Sequence, residues 1–164
     1  MISNLSTFTI VHVVISLIGI VSGLVVMFGL LLARKLNRWS AVFLLSTVAT
    51  SATGFFFPFH GVTPAIVVGL ISLVVLAVAI LARYARHLAG AWRWIYVVTV
   101  MIALYLNVFV LIVQLFQKVP ALKALAPTQS EPPFAVTQLV VLALFVVLTI
   151  MAVIKFRGEQ LQMA

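Results

Sequence analysis

The run PAIVVGLISLVVLAVAILA, residues 64–82, carries no charge and only one polar side chain, Ser72; RYARH, residues 83–87, follows it at once. A transmembrane helix needs about 20 mostly apolar residues to cross a hydrocarbon layer about 30 Å thick. This stretch meets that requirement and stops at a cluster of cations. Four more stretches read the same way: residues 8–33, 41–59, 94–116 and 135–154. None of the five contains Asp, Glu, Lys or Arg. They are continuous apolar runs rather than alternating ten-residue segments, so the expected fold is an all-α integral membrane protein and not a lipid-embedded barrel. Residues 1–164 read as a single transmembrane domain of five helices.

Composition excludes most alternatives. Of the 164 residues, 65% are hydrophobic and only 7% charged, against the roughly 25% charged residues of a soluble domain. There is no cysteine, which removes disulfides, thiolate metal sites and cysteine nucleophiles. With only two acidic residues in the chain, paired-carboxylate hydrolysis and carboxylate-rich metal sites lack their ligands. No phosphate-binding loop, dinucleotide fingerprint or Gly-x-Ser-x-Gly elbow occurs. The reading leans away from an enzyme, and no catalytic residue is expected.

The charges orient the bundle. Arg34, Lys35 and Arg38 follow the first span, Arg83, Arg86 and Arg93 follow the third, and Lys155 and Arg157 follow the fifth. Alternation places all of these on one face, whereas the other face has only Lys118 and Lys123, in a loop that also holds Glu131. The positive-inside rule then puts the N-terminus out and the C-terminus in, as expected of a multi-pass protein of a bacterial inner (cytoplasmic) membrane. Trp39, Trp92 and Trp94 cluster at the basic boundary, where amphipathic indoles are favoured. The first span has no basic residue before it and no small-residue cleavage site before Arg34, so it is expected to be retained. Topology accounts for the +8 net charge, and no nucleic-acid partner is expected. Arg83, Arg86 and Arg93, with His87, are expected to meet anionic lipid headgroups.

Helix ends can be read too. Thr63–Pro64 has an N-cap followed by a first-turn proline, and Pro58 interrupts the end of the second span. The loop 117–134 contains four prolines, and Val119, Leu122 and Leu125 suggest a short interfacial helix in its first part. This loop is either an ordered return to the fifth span or a lid over a partner or substrate. Leu-Ala-Arg at 32–34 and 81–83, and Arg-Trp at 38–39 and 93–94, hint at two duplicated hairpins.

Small and hydroxyl residues mark close helix contacts in lipid. Gly19 and Gly23 form one such face, and Ser46, Thr47, Thr50, Ser51, Thr53 and Gly54 place the second span at the bundle centre. In the fourth span, Tyr105 and Asn107 are the intramembrane polar groups, with Gln114 and Gln117 beyond them.

His12 lies 22 residues before Arg34, and His60 lies 22 residues after Arg38. At 1.5 Å per residue, both fall roughly 33 Å from the basic boundary. Gln114 and Gln138 reach the same layer. The expected ligand site is therefore an outer-leaflet cluster of His12, His60, Gln114 and Gln138, with Ser16 beside it. One chemistry for it is non-catalytic ligand binding or assembly with a partner membrane subunit or a second copy. A second is a redox module holding haem b or quinone, with His12 and His60 as the ligands of haem or of a metal. A third is a small oligomeric transporter.

Overall fold

The computed structural model describes the backbone of residues 2–58 and 61–162, and the side chains of residues 7–58 and 61–156. Among the described residues the chain is helices joined by turns: α1 (Ile2–Leu31), α2 (Asn37–Gly54), α3 (Pro64–Ile80), α4 (Trp92–Lys118), α5 (Pro120–Leu125) and α6 (Pro132–Gln162). A π-helical turn, Leu81–Ala85, continues α3. Four stretches of the described residues are long and apolar enough to cross a membrane: Thr7–Leu31, Pro64–Ala85, Trp92–Lys118 and Pro132–Phe156. α2 is shorter, and its Asn, Arg, Ser and Thr side chains lower its hydropathy.

The helix boundaries follow local chemistry. α1 ends in a Schellman arrangement: Arg34 N–H donates to Gly29 O at 2.8 Å, and Ala33 N–H donates to Leu30 O at 3.1 Å. Ala33 occupies the left-handed position, at φ 56°, where glycine is usual. α2 unwinds at Gly54, before Pro58 and short of the expected end at residue 59. α3 begins as its sequence predicts: Thr63 is extended, Pro64 opens the helix, and Thr63 Oγ1 accepts from Ile66 N–H at 3.4 Å.

α4 is the hub. It packs against α1, α3, α5 and α6, and Tyr96, Val97, Val100, Met101, Ala103 and Leu104 are almost wholly buried. α1 lies along α2, and α2 in turn lies against α3. Helices α1 to α4 thus form a four-helix ring, with α6 packed outside it on α1 and α4. Only 17% of the most apolar window of α6 is buried, against 44% for α1. Leu139, Val140, Leu144, Val147, Ile150 and Ile154 face outward from α6. An apolar exterior of that extent fits a hydrocarbon surrounding.

Arg34, Lys35, Arg38, Arg83, Arg86, Arg93 and Lys155 gather at one end of the bundle; Lys118, Lys123 and Glu131 lie at the other. We call these the basic end and the loop end. At the loop end, α5 forms in the first part of the long connection. Leu122 and Ala126 then pack with Ile112, Phe116 and Phe134, where the Phe116 and Phe134 rings meet edge-on at 5.3 Å.

Midway along the ring the α1 backbone meets side chains of α2 and α4 directly. A Cβ built on Gly23 would come within 2.6 Å of Leu104 Cδ1 and 2.8 Å of Phe43 Cε2, both fully buried side chains. Gly23→Ala should therefore lower stability by ~1–3 kcal/mol through overpacking, exceeding the roughly 1 kcal/mol that alanine returns in helix propensity. Thermal unfolding in detergent micelles checks this, and a variant as stable as the parent contradicts the close approach.

Candidate functional site: a vestibule at the loop end

Above the Gly23 contact, toward the loop end, the four helices separate around a cavity of about 540 Å³. That volume lies within the range of small-molecule sites. Its walls come from all four members of the ring. α1 contributes His12, Ser16 and Leu17; α2 contributes Thr50 and Ser51; α3 contributes Val68, Gly69 and Ser72; α4 contributes Asn107, Val110, Leu111, Gln114 and Lys118. Phe55 and Phe57, just beyond α2, complete the wall. Most of the lining is apolar, and among the described residues Lys118 is the only charged side chain on it.

The polar groups are stacked in layers. Near the mouth, His12 Nδ1 lies 2.8 Å from Thr53 Oγ1. The Thr53 hydroxyl donates to Ala49 O at 2.7 Å, so its proton is already committed. His12 Nδ1–H is therefore the donor in the pair, and Nε2 is left as the acceptor of the neutral ring. The ring stands edge-on to Phe57, with centroids 5.1 Å apart. Deeper, Ser51 Oγ donates to Ser72 Oγ at 3.2 Å, joining α2 to α3. At the floor, Asn107 Nδ2–H donates to Thr47 Oγ1 at 3.2 Å, joining α4 to α2. A Cβ on Gly19 would sit 3.2 Å from Thr47 Oγ1 and 3.5 Å from Asn107 Nδ2, so α1 closes on the same point.

The residues singled out from sequence are distributed as follows. His12, Ser16, Asn107 and Gln114 all line the vestibule. His60 lies outside the described residues. Gln138 is buried between α6 and α4, where its Nε2–H donates to Phe109 O at 3.3 Å, and it does not line the vestibule. Tyr105 also turns away, packing on Phe109 and Phe145. At the basic end, Arg86 is exposed, with its guanidinium 5.2 Å from the Trp92 ring centre. Arg83 donates to Tyr96 Oη at 3.2 Å and to Asn37 Oδ1. Arg93 is only 6% exposed and lies over the Phe156 ring at 4.8 Å. Of the three arginines, Arg86 is thus the one most open to a headgroup.

Sequence reasoning missed Ser72 and Lys118 as vestibule residues. Ser72 had a signal, being the lone polar side chain in residues 64–82. Among the described residues there is no group of three His, Cys, Asp or Glu side chains placed to hold a metal. Compared with protein-family models, curated proteins and solved structures, the chain matches none.

The connection from the vestibule mouth to α6 is tied by two side chains. Gln129, at φ 60°, donates from Nε2 to Val113 O at 2.9 Å, pinning the loop to α4. Glu131 accepts from Thr128 Oγ1 at 2.8 Å, from Thr128 N–H at 3.2 Å and from Ser130 N–H at 3.1 Å. These bonds, the Thr128 hydroxyl first, hold the Glu131 carboxyl below its ordinary value. A carboxyl whose folded pKa is depressed contributes order at pH above its unfolded value, and that contribution is lost as pH falls through the folded value. Protection factors for the Thr128 and Ser130 amides, corrected for intrinsic exchange, should therefore fall in acid. Glu131→Gln should show the lower protection already at neutral pH. Equal protection in the two proteins across the titration removes this role for Glu131.

Proposed function

We propose that the chain is a five-span, non-catalytic ligand-binding or accessory module of a bacterial-type inner membrane, with its N-terminus outside and its C-terminus inside. On this reading α2 is the fifth span. It is short, its hydroxylated face lies against α1 and α3, and the eight cations of the loops and tail face the cytoplasm. The vestibule then opens toward the outer leaflet. The observation that carries the functional reading is the cavity itself: about 540 Å³, walled mostly by apolar side chains, with a few convergent polar groups and one cation at its rim. An amphipathic molecule drawn from the outer leaflet suits such a lining. The absence of charged side chains within the five spans argues against a proton- or ion-coupled pump, which ordinarily needs them.

A redox form of the same reading has a quinone as the occupant. It is favoured by His12, which lines the vestibule and whose Nε2 takes no hydrogen bond from the described residues. Haem b would require His12 together with His60. A visible spectrum taken air-oxidised and then dithionite-reduced tests haem; bands that sharpen on reduction and vanish in His12→Ala would place the chain among electron carriers.

Three experiments test the main proposal. The chain contains no cysteine, so single-cysteine variants can be labelled without background. A membrane-impermeant maleimide should label Pro127→Cys in intact cells and should reach His87→Cys only after lysis; the reverse pattern overturns the orientation. Val110→Trp should fill the vestibule and abolish the retention of amphipaths recovered by solvent extraction of the purified protein. Retention unchanged by the indole removes the vestibule as the binding site. Solute flux in proteoliposomes of this chain alone would make it a transporter instead.

A further inference from the structure

We infer that the vestibule holds the single acyl chain of an anionic amphipath of the fatty-carboxylate class, with its head at Gln114 and Lys118 and its tail pointing inward. The inference rests on the vestibule reading above and adds the class of ligand and its direction.

The depth of the cavity sets the scale. Lys118 at the mouth and Asn107 at the floor are eleven residues apart on α4, about 16 Å along the axis. That is about half of a hydrocarbon layer about 30 Å thick, the depth reached by the chains of one leaflet. Val13, Leu17 and Leu115 belong to the lining and are also exposed on the bundle surface. The apolar wall therefore runs on to the outer surface, and a hydrocarbon tail can pass between the two without crossing water.

The inner end gives an occupant little to bond. Thr50 Oγ1 has no surface open to the cavity, Ser72 is buried and bonded to Ser51, and Asn107 donates to Thr47. Ile20, Val68, Val110 and Leu111 complete the inner wall. Hydrocarbon suits such an end. A charged head placed there would be buried without a counterion, at a far higher cost.

The mouth is different. Gln114 and Lys118 both line the vestibule, and one turn apart on α4 they share a face. Both are exposed, and neither makes a hydrogen bond or ion pair with another described residue. The carboxylates of the chain do not answer them. Glu131 is occupied by Thr128 and Ser130, and Glu159 stands near the far end of α6. An ammonium and an amide, both donors, thus stand unpartnered at the rim of an apolar cavity one leaflet deep. A singly charged carboxylate complements this pair while its tail fills the cavity. A cationic head would meet Lys118 as a like charge, and a neutral head could use Gln114 but would leave the ammonium without a counterion.

One tail with three heads tests the assignment. The full chain in phosphatidylcholine nanodiscs is titrated with myristate, 1-tetradecanol and tetradecylamine, with empty discs as the blank. Myristate should bind about fivefold more tightly than tetradecanol, the scale of one solvent-exposed ion pair, and tetradecylamine should bind more weakly than both. Lys118→Gln should abolish the preference for myristate and leave tetradecanol unaltered, and Lys118→Arg should restore it. Lys123→Gln removes a nearby cation that does not line the vestibule, and should keep the preference. Tetradecanedioate, with a second carboxylate on its tail, should bind about tenfold more weakly than myristate, because its inner end would carry a charge to the floor. Equal affinity for myristate and tetradecanol, or a preference that survives Lys118→Gln, overturns the anionic head while the vestibule reading stands. The dioate binding as tightly as myristate overturns the inward tail. No probe bound above the blank, with Val110→Trp indistinguishable from the parent, overturns the vestibule reading itself.

Discussion

The rest of the bundle depends on how closely α1 approaches α2 and α4 at Gly19 and Gly23. In hydrocarbon there is no hydrophobic drive to hold helices together, so association relies on packing, hydrogen bonds and close backbone approach. Gly23 leaves room for the Phe43 ring and the Leu104 side chain. One turn toward the loop end, Gly19 admits the Thr47–Asn107 pair. Toward the basic end of this contact the ring closes on a dry core of Phe43, Leu76, Val100, Met101 and Leu104. Toward the loop end the same four helices diverge. The vestibule is the open half of a bundle pinched at its waist, and its floor is the pinch itself.

Polar groups within the spans are few, and almost every one has a local solution. Most hydroxyls return to their own helix, the Ser51–Ser72 and Asn107–Thr47 bonds bind neighbouring helices, and His12 is fixed by Thr53. At the basic end, Arg83 joins three elements: it sits on the π-helical turn after α3, donates to Asn37 at the start of α2, and reaches Tyr96 on α4. The extra residue in that turn, where Arg86 N–H reaches back five positions to Leu81 O, continues the helix into the arginine-bearing segment. This clamp ties the basic ends of α2, α3 and α4 together, while at the loop end the same helices stand apart around a cavity.

The long apolar helices were legible because a bilayer imposes length and composition on them directly. The glycine contact on α1 and the Thr63–Pro64 start of α3 were legible for equally local reasons. What sequence could not supply was azimuth. Counting residues placed His12, Gln114 and Gln138 at one depth, and depth is all that a rise of 1.5 Å per residue can give. Which way each side chain faces depends on how α6 rotates against α4, and that rotation turns Gln138 toward Phe109 O and away from His12. Arg93 illustrates the same limit. Its position beside Trp92 and Trp94 suggests a headgroup, yet the packing of Phe156 on α4 covers it. The expected second span from 41 to 59 failed at its end for a different reason: α2 starts earlier, at Asn37, and gives way at Gly54 before Pro58.

The pinch also bears on what kind of site this is. A conduit needs a polar path that continues through the membrane, or a second arrangement in which the floor opens. Beneath Asn107 the next layer is Leu104 against Phe43 and the Gly23 backbone. Opening that layer would separate side chains that are fully buried and in contact, and would also strain the Arg83 clamp below them. The floor of the vestibule is thus a hydrogen-bonded pair set on a layer of fully buried side chains.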